Sequence, residues 1–248
     1  MNQKNKKSTE HPLVYHLVEL RSRLIKCVVA VLLVILILSP FSDMIYLFLA
    51  EPLLQQLPDK GSLIATKVAS PFLAPFKLLF FVSFLIALPF ILFQIWAFVA
   101  PGLYDTERRL IFPLVFFTTL LFYLGILFAY YIIFPVIFGF FASTTPEGVN
   151  LMTDISEYLN FCIKLFFAFG LAFEVPLITF VLIKSGLTTT EAMREKRPYI
   201  ILIAFIVGMF LTPPDFVSQV LLALPIWLLF EIALIFTTIL SSNDPNSE

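Results

Sequence analysis

The sequence predicts an all-α polytopic membrane protein: six transmembrane helices, a short helical hairpin formed by the fifth and sixth, and an amphipathic interfacial helix at the N-terminus. Three observations carry this prediction. Of 248 residues, 60% are hydrophobic and 13% charged, whereas soluble globular domains run about half apolar and a quarter charged. Apolar runs long enough to cross about 30 Å of hydrocarbon, at about 1.5 Å of helix per residue, recur along the chain. Twelve of the sixteen Lys and Arg fall on one side of these runs. By the positive-inside rule that side, with both termini, is cytoplasmic. Thirty Phe against eight Gly excludes collagen-like and low-complexity classes, and a net charge of -1 leaves no electrostatic footprint for nucleic acid.

The first element is the interfacial helix. Leu13, Leu17, Leu20 and Leu24 recur at helical spacing while Glu19, Arg21 and Arg23 point elsewhere. Lys4, Lys6 and Lys7 precede it as in a signal peptide, but no A-x-A-like cleavage site follows the apolar run, so the segment is expected in the mature protein. Four spans follow at roughly 24–38, 71–100, 110–138 and 158–183. The last apolar block, 199–240, is broken by Thr212-Pro213-Pro214-Asp215, which a continuous helix would not tolerate, so it reads as a tight hairpin. Its first arm, Tyr199 to Leu211, reaches only about 20 Å as a helix, less than the hydrocarbon it should cross. The chain reads as a single membrane domain over 1–248, with 1–11 and 241–248 as flexible cytoplasmic tails.

Between the spans, the outer segment 39–70, which contains Pro40, Pro52, Pro58 and Ser70-Pro71, is too long for a plain connector. The cytoplasmic loop 101–109 ends in Asp105-Thr106-Glu107, a helix N-terminal signature whose carboxylates complement the helix dipole. Capping accounts for Glu107. Alternatively Glu107 and Glu19 offer acceptor-only groups to a cationic partner, and guanidinium is the cation that matches them bidentately.

Within the spans, Glu174 is the strongest single-residue anomaly. It lies about 16 residues from the outer start of the fourth span, two before the kinking Pro176, and should face a polar cavity or partner or take up a proton. Lys77 and Lys164 lie near outer helix ends and can snorkel. Glu231 should emerge near the cytoplasmic face, where solvation explains it. At the hairpin, Asp215 is an N-cap, and Gln219 one turn on can hydrogen-bond a partner helix.

Catalysis has no footing here: there is no nucleophile with its base, no phosphate-binding loop and no metal set, so neither an enzyme nor a cofactor is expected. Cys27 and Cys162 read as core fillers, and His11 and His16 lack companions at ligand spacing. The rival class is a proton-coupled small-solute carrier in which Glu174 relays protons. A passive scaffold would tolerate neutralisation of Glu19 and Glu107.

Seven segments, in this order, resemble the TatC family, the core receptor of the twin-arginine protein translocase. They are His16-Leu-Val-Glu19-Leu-Arg21-Ser-Arg23-Leu, Ser70-Pro71-Phe72, Gln94-Ile-Trp96-Ala-Phe98-Val-Ala-Pro101-Gly-Leu-Tyr104, Glu107-Arg108-Arg109, Phe173-Glu174-Val-Pro176, Lys196-Arg197-Pro198-Tyr199 and Leu211-Thr-Pro213-Pro214-Asp215. The resemblance implies a multi-pass protein of the bacterial cytoplasmic (inner) membrane that binds twin-arginine signal peptides of folded cargo. It also implies single-span TatA- and TatB-type partners, contact with membrane lipids, self-association in a larger complex, and export driven by proton-motive force. Glu19 and Glu107 would then form the acidic site for the paired arginines, with Arg21 shaping the amphipathic helix and Phe98 lining the adjacent groove. Pro52 would be a functionally sensitive outer position and Glu174 the polar point of the concave face. The hairpin from Thr212 to Gln219 would be a docking edge for a partner helix.

Overall fold

The computed structural model describes residues 12–55, 62–99, 111–146, 152–211 and 216–242. The elements are α1 (Pro12–Leu38), a 3-10 turn (Ser39–Phe41), α2 (Ser42–Leu54), β1 (Ser62–Ile64), α3 (Ser70–Val99), α4 (Ile111–Phe128), a π-helical turn (Ala129–Ile133) and α5 (Phe134–Ser143). They continue with β2 (Met152–Asp154), α6 (Ile155–Phe173), α7 (Val175–Lys184), α8 (Thr190–Glu195), α9 (Arg197–Leu211) and α10 (Phe216–Ser242). Among the described residues five helical stretches are long and apolar enough to cross a membrane: Leu17–Leu54, Ser70–Phe98, Phe112–Ser143, Ile155–Lys184 and Phe216–Ile239. The 15-residue α9 falls short of that length, as the sequence predicts for the first arm of the hairpin. The amphipathic stretch and the first span form one unbroken helix, α1, whose Leu17, Leu24, Leu33 and Leu36 are exposed as lipid-facing side chains would be.

Contacts divide the chain into two compact units, one of residues 1–42 with 79–119 and the other of 43–78 with 120–248. In the first, Val31, Phe81, Leu88 and Val115 are among the buried apolar side chains. In the second, one face of α6 is buried along its length, through Tyr158, Leu159, Cys162, Leu165, Phe166, Phe169, Gly170 and Ala172. Its rings meet those of neighbouring helices: Phe166 with Phe134 at 5.0 Å between centroids, Tyr158 with Phe138 at 5.4 Å and Phe169 with Phe128 at 5.5 Å. Apolar burial drives little helix association in lipid, so close packing must do the work, and small residues permit it. A Cβ on Gly125 would lie 2.3 Å from the Phe169 carbonyl oxygen, so α4 and α6 touch backbone to backbone.

The stretch after α1, expected as an outer connecting segment, contains a helix in spite of its prolines. Residues 42–54 form α2, with Pro52 buried inside it. Proline has no N–H, so the carbonyl four residues back, that of Phe48, loses its helical donor, and the ring crowds it as well. A side chain restores the bond: the Tyr130 hydroxyl donates to the Phe48 oxygen at 2.6 Å, and its ring stacks on Phe48 with centroids 5.0 Å apart. The Tyr158 hydroxyl donates to the next carbonyl, Leu49, also at 2.6 Å. Pro135, the second residue of α5, directly follows the π-helical turn, where a ladder slipped by one residue accommodates the missing donor without a side-chain substitute.

Beyond α2, β1 pairs in parallel with β2, Leu63 opposite Thr153. Asp154 fixes this pairing to the start of α6. One carboxylate oxygen accepts from the Thr66 amide at 2.9 Å and from its hydroxyl, and the other caps α6 through the Ser156 and Glu157 amides at 2.8 and 3.1 Å. Those donors, the Thr66 hydroxyl foremost and its amide next, hold the Asp154 carboxyl far below the usual carboxylate range. Nearby, Ser156 donates to Ser70 at 2.9 Å. Lys77, which the sequence predicts to snorkel, donates to Asn160 on α6.

Tyr130→Phe orphans the Phe48 carbonyl and should cost about 1–2 kcal/mol, whereas Pro52→Ala in that background should recover most of it by supplying the missing amide donor. Detergent thermal unfolding of the four-member cycle measures this, and simple additivity would rule out the capture. For Asp154, the folded-state value lies below the unfolded one, so its stabilisation is complete at neutral pH and fades as pH falls through the folded value. The midpoint gap between wild type and Asp154→Asn should therefore be constant above about pH 5 and shrink progressively below about pH 4.

Candidate functional site

The first unit contains a polar cluster built around one guanidinium. Glu19 and Arg23 stand four residues apart on α1, the spacing that brings side chains together on one helix face. Arg23 Nη2 and Nε both donate to Glu19 Oε1, at 2.6 and 3.1 Å. Its remaining bonds reach α3: Nη1 donates to Gln94 Oε1 at 3.2 Å and Nη2 to the Ala97 carbonyl at 3.1 Å. Ala97 lies in the last turn of α3, where carbonyls have no helical donor and the helix dipole favours a cation. Both partners of the ion pair are only about a fifth exposed, at 21% and 22%. Gln94 is buried.

Of the residues singled out in the sequence, Glu19 accepts two of the bonds from that guanidinium. Phe98, half-buried, is the residue after Ala97, and Arg21 is exposed on α1. Glu107 lies outside the described residues, so one of the two expected carboxylates is seen. Gln94 carries more of the cluster than its place in an apolar run suggests. The readable signal was an amide one turn from the end of that run, too deep for solvent and unmatched in its own helix.

In the second unit, Glu174 sits at the break between α6 and α7, two residues before Pro176. It is buried, and its Oε1 has no hydrogen-bond partner among the described residues. A carboxyl so placed persists through water, a proton or a polar partner. Pro52 is the buried helix residue described above. Gln219 is half-buried on α10, and a Cβ on Gly208 would stand 3.4 Å from the Gln219 carbonyl oxygen, so the two arms of the hairpin approach closely there. Thr212 lies outside the described residues. Glu231 is held by more than solvation: Arg197 at the start of α9 donates to it at 2.7 Å, tying the two arms together at the end opposite their turn. No group of three metal-ligating side chains occurs among the described residues.

These features define a multi-pass helical membrane protein with polar groups gathered at helix ends and breaks. The family described as Sec-independent protein translocase protein (TatC) matches residues 15–225. The TatC protein of Azotobacter chroococcum is 56% identical over 225 residues, covering 91% of this chain and 88% of its own. That of Haemophilus influenzae is 52% identical over 236 residues (95% and 92%), and that of Escherichia coli K12 is 50% identical over 237 residues (96% and 92%). A crystal structure of the twin-arginine translocase receptor TatC superposes with a TM-score of 0.79 at 38% identity, covering 91% of this chain and 99% of that one. The chain belongs to the TatC family. It is a component of the Tat protein translocase, a multi-pass protein of the bacterial inner membrane that works with other Tat subunits.

Proposed function

We propose that this chain is the signal-peptide receptor and assembly scaffold of the twin-arginine translocase, binding the paired arginines of folded cargo precursors at the cytoplasmic face. The observation that carries this reading is Glu19 itself, a carboxylate near the start of the first long apolar stretch that already accepts two bonds from a guanidinium. Glu107 supplies the second acceptor, Arg21 shapes the helix that presents Glu19, and Phe98 lines the adjoining groove. A charge pair alone at an exposed surface is worth about 1 kcal/mol or less, so partial desolvation and the apolar contact with Phe98 must supply the rest. The segregation of Lys and Arg supports cytoplasmic termini, which puts Glu19 on the side where cargo is made.

Recruitment follows from the same scaffold. TatA- and TatB-type helices dock along the hairpin edge through Thr212 and Gln219, and the short α9 thins the bilayer beside them. Glu174 is the polar point within the membrane, Pro52 sets the shape of the outer helix, and self-association with partner helices builds the passage that proton-motive force drives.

Binding of a labelled twin-arginine peptide to the protein in nanodiscs tests the receptor reading. Glu19→Ala, Glu107→Ala and a twin-lysine peptide should each weaken binding by about tenfold or more, since each removes a charge-assisted or bidentate pair. Equal binding in all four combinations would refute the acidic site.

A further inference from the structure

Resting on the receptor reading above, the geometry points to Arg23 and Gln94 as positioning residues for the peptide-binding carboxylate: together they fix Glu19 against the end of α3, so that it and Phe98 meet an incoming arginine as one surface. The guanidinium spends its donors on three acceptors from two helices: Glu19 on α1, and Gln94 and the Ala97 carbonyl on α3. Neutralising Glu19 would need one bond. The additional pair to α3 instead fixes where the carboxylate stands.

Gln94 is buried, and the oxygen it presents to Nη1, at 3.2 Å, gives its polar end a partner within an apolar helix. Ala97 is the immediate neighbour of Phe98, so the bond to its carbonyl registers Glu19 to the turn that carries the aromatic ring. The planar fork is essential, because an ammonium group on a flexible stem cannot hold three separated acceptors in one plane.

Arg23 also resembles the ligand, which raises the opposite possibility, that it competes for Glu19. Two features favour positioning. Both bonds to Glu19 converge on Oε1, so Arg23 does not fork across the carboxylate as a bidentate ligand would. Its bonds to α3 hold it in place whether or not Glu19 is engaged elsewhere. A pre-set acceptor binds more tightly because less side-chain freedom is lost on association.

The test uses the full chain in nanodiscs, a labelled twin-arginine peptide, and the variants Arg23→Lys, Gln94→Leu and Gln94→Glu beside Glu19→Ala. Arg23→Lys and Gln94→Leu should weaken binding by about tenfold. Gln94→Glu, which keeps an acceptor oxygen in place, should remain within about twofold of wild type. Spin labels on Val18→Cys and Ile95→Cys, in a Cys27→Ala, Cys162→Ala background, read the register directly. Their distance distribution should broaden in Arg23→Lys and Gln94→Leu and narrow again in Gln94→Glu. Unchanged or tighter binding in Arg23→Lys, or weakened binding with an unaltered distance distribution, overturns the positioning role. If wild type fails to bind, or Glu19→Ala binds like wild type, the receptor reading falls and this inference falls with it. Loss in Glu19→Ala with no effect of Arg23→Lys or Gln94→Leu removes this inference alone.

Discussion

A polar group placed in hydrocarbon must find a partner, and this single constraint organises the molecule more than any pattern of apolar contact. Its effects are clearest at the prolines. Pro52 releases the Phe48 carbonyl, which the Tyr130 hydroxyl takes up, while Tyr158 secures the neighbouring carbonyl of Leu49. These two bonds hold α2 to the π-helical turn before α5 and to α6 in the same unit. Pro135 is accommodated differently, by a π-helical turn, and Pro176 by a break that leaves Glu174 at the junction of two helices.

The same requirement explains the polar cluster of the first unit. The last turn of α3 has a carbonyl without a helical donor, Gln94 is an amide in an apolar run, and Glu19 is a carboxylate near the start of the first long apolar stretch. One guanidinium serves all three. At the hairpin, Arg197 meets Glu231 in the same way and ties together two helices of unequal length. Apolar packing follows where these bonds permit it, most closely at Gly125 against the Phe169 carbonyl, where any side chain would force the helices apart.

Much of this was legible in the sequence because lipid imposes long, one-dimensional signals. The spans, the short first arm of the hairpin and the kink after Glu174 all follow from local runs and breakers. What escaped depended on distant partners. Residues 42–54 read as an outer loop because Pro52 looks like a breaker, and the hydroxyls that rescue the helix lie far along the chain at Tyr130 and Tyr158. The pairing of β1 with β2 is only three residues long on each side, too short for any alternation to register. The partners of Lys77 and Glu231, Asn160 on α6 and Arg197 on α9, lie too far along the chain to be read from it. At the candidate site, Glu19 was legible as an acceptor and Phe98 through the family resemblance, but the bond from Arg23 to Gln94 appears only when α1 and α3 are brought together.

In the proposed reading, the surface formed by Glu19 and the end of α3 receives paired arginines. The most direct measurement is photo-crosslinking in membrane vesicles from a benzophenone side chain substituted for the exposed Ile95, one turn from Phe98. A folded precursor with a twin-arginine signal peptide should crosslink there. The adduct should disappear with a twin-lysine signal and with Glu19→Ala, while the protein remains inserted and assembled. Crosslinking that persists undiminished with twin lysine or without the Glu19 carboxylate would contradict the account.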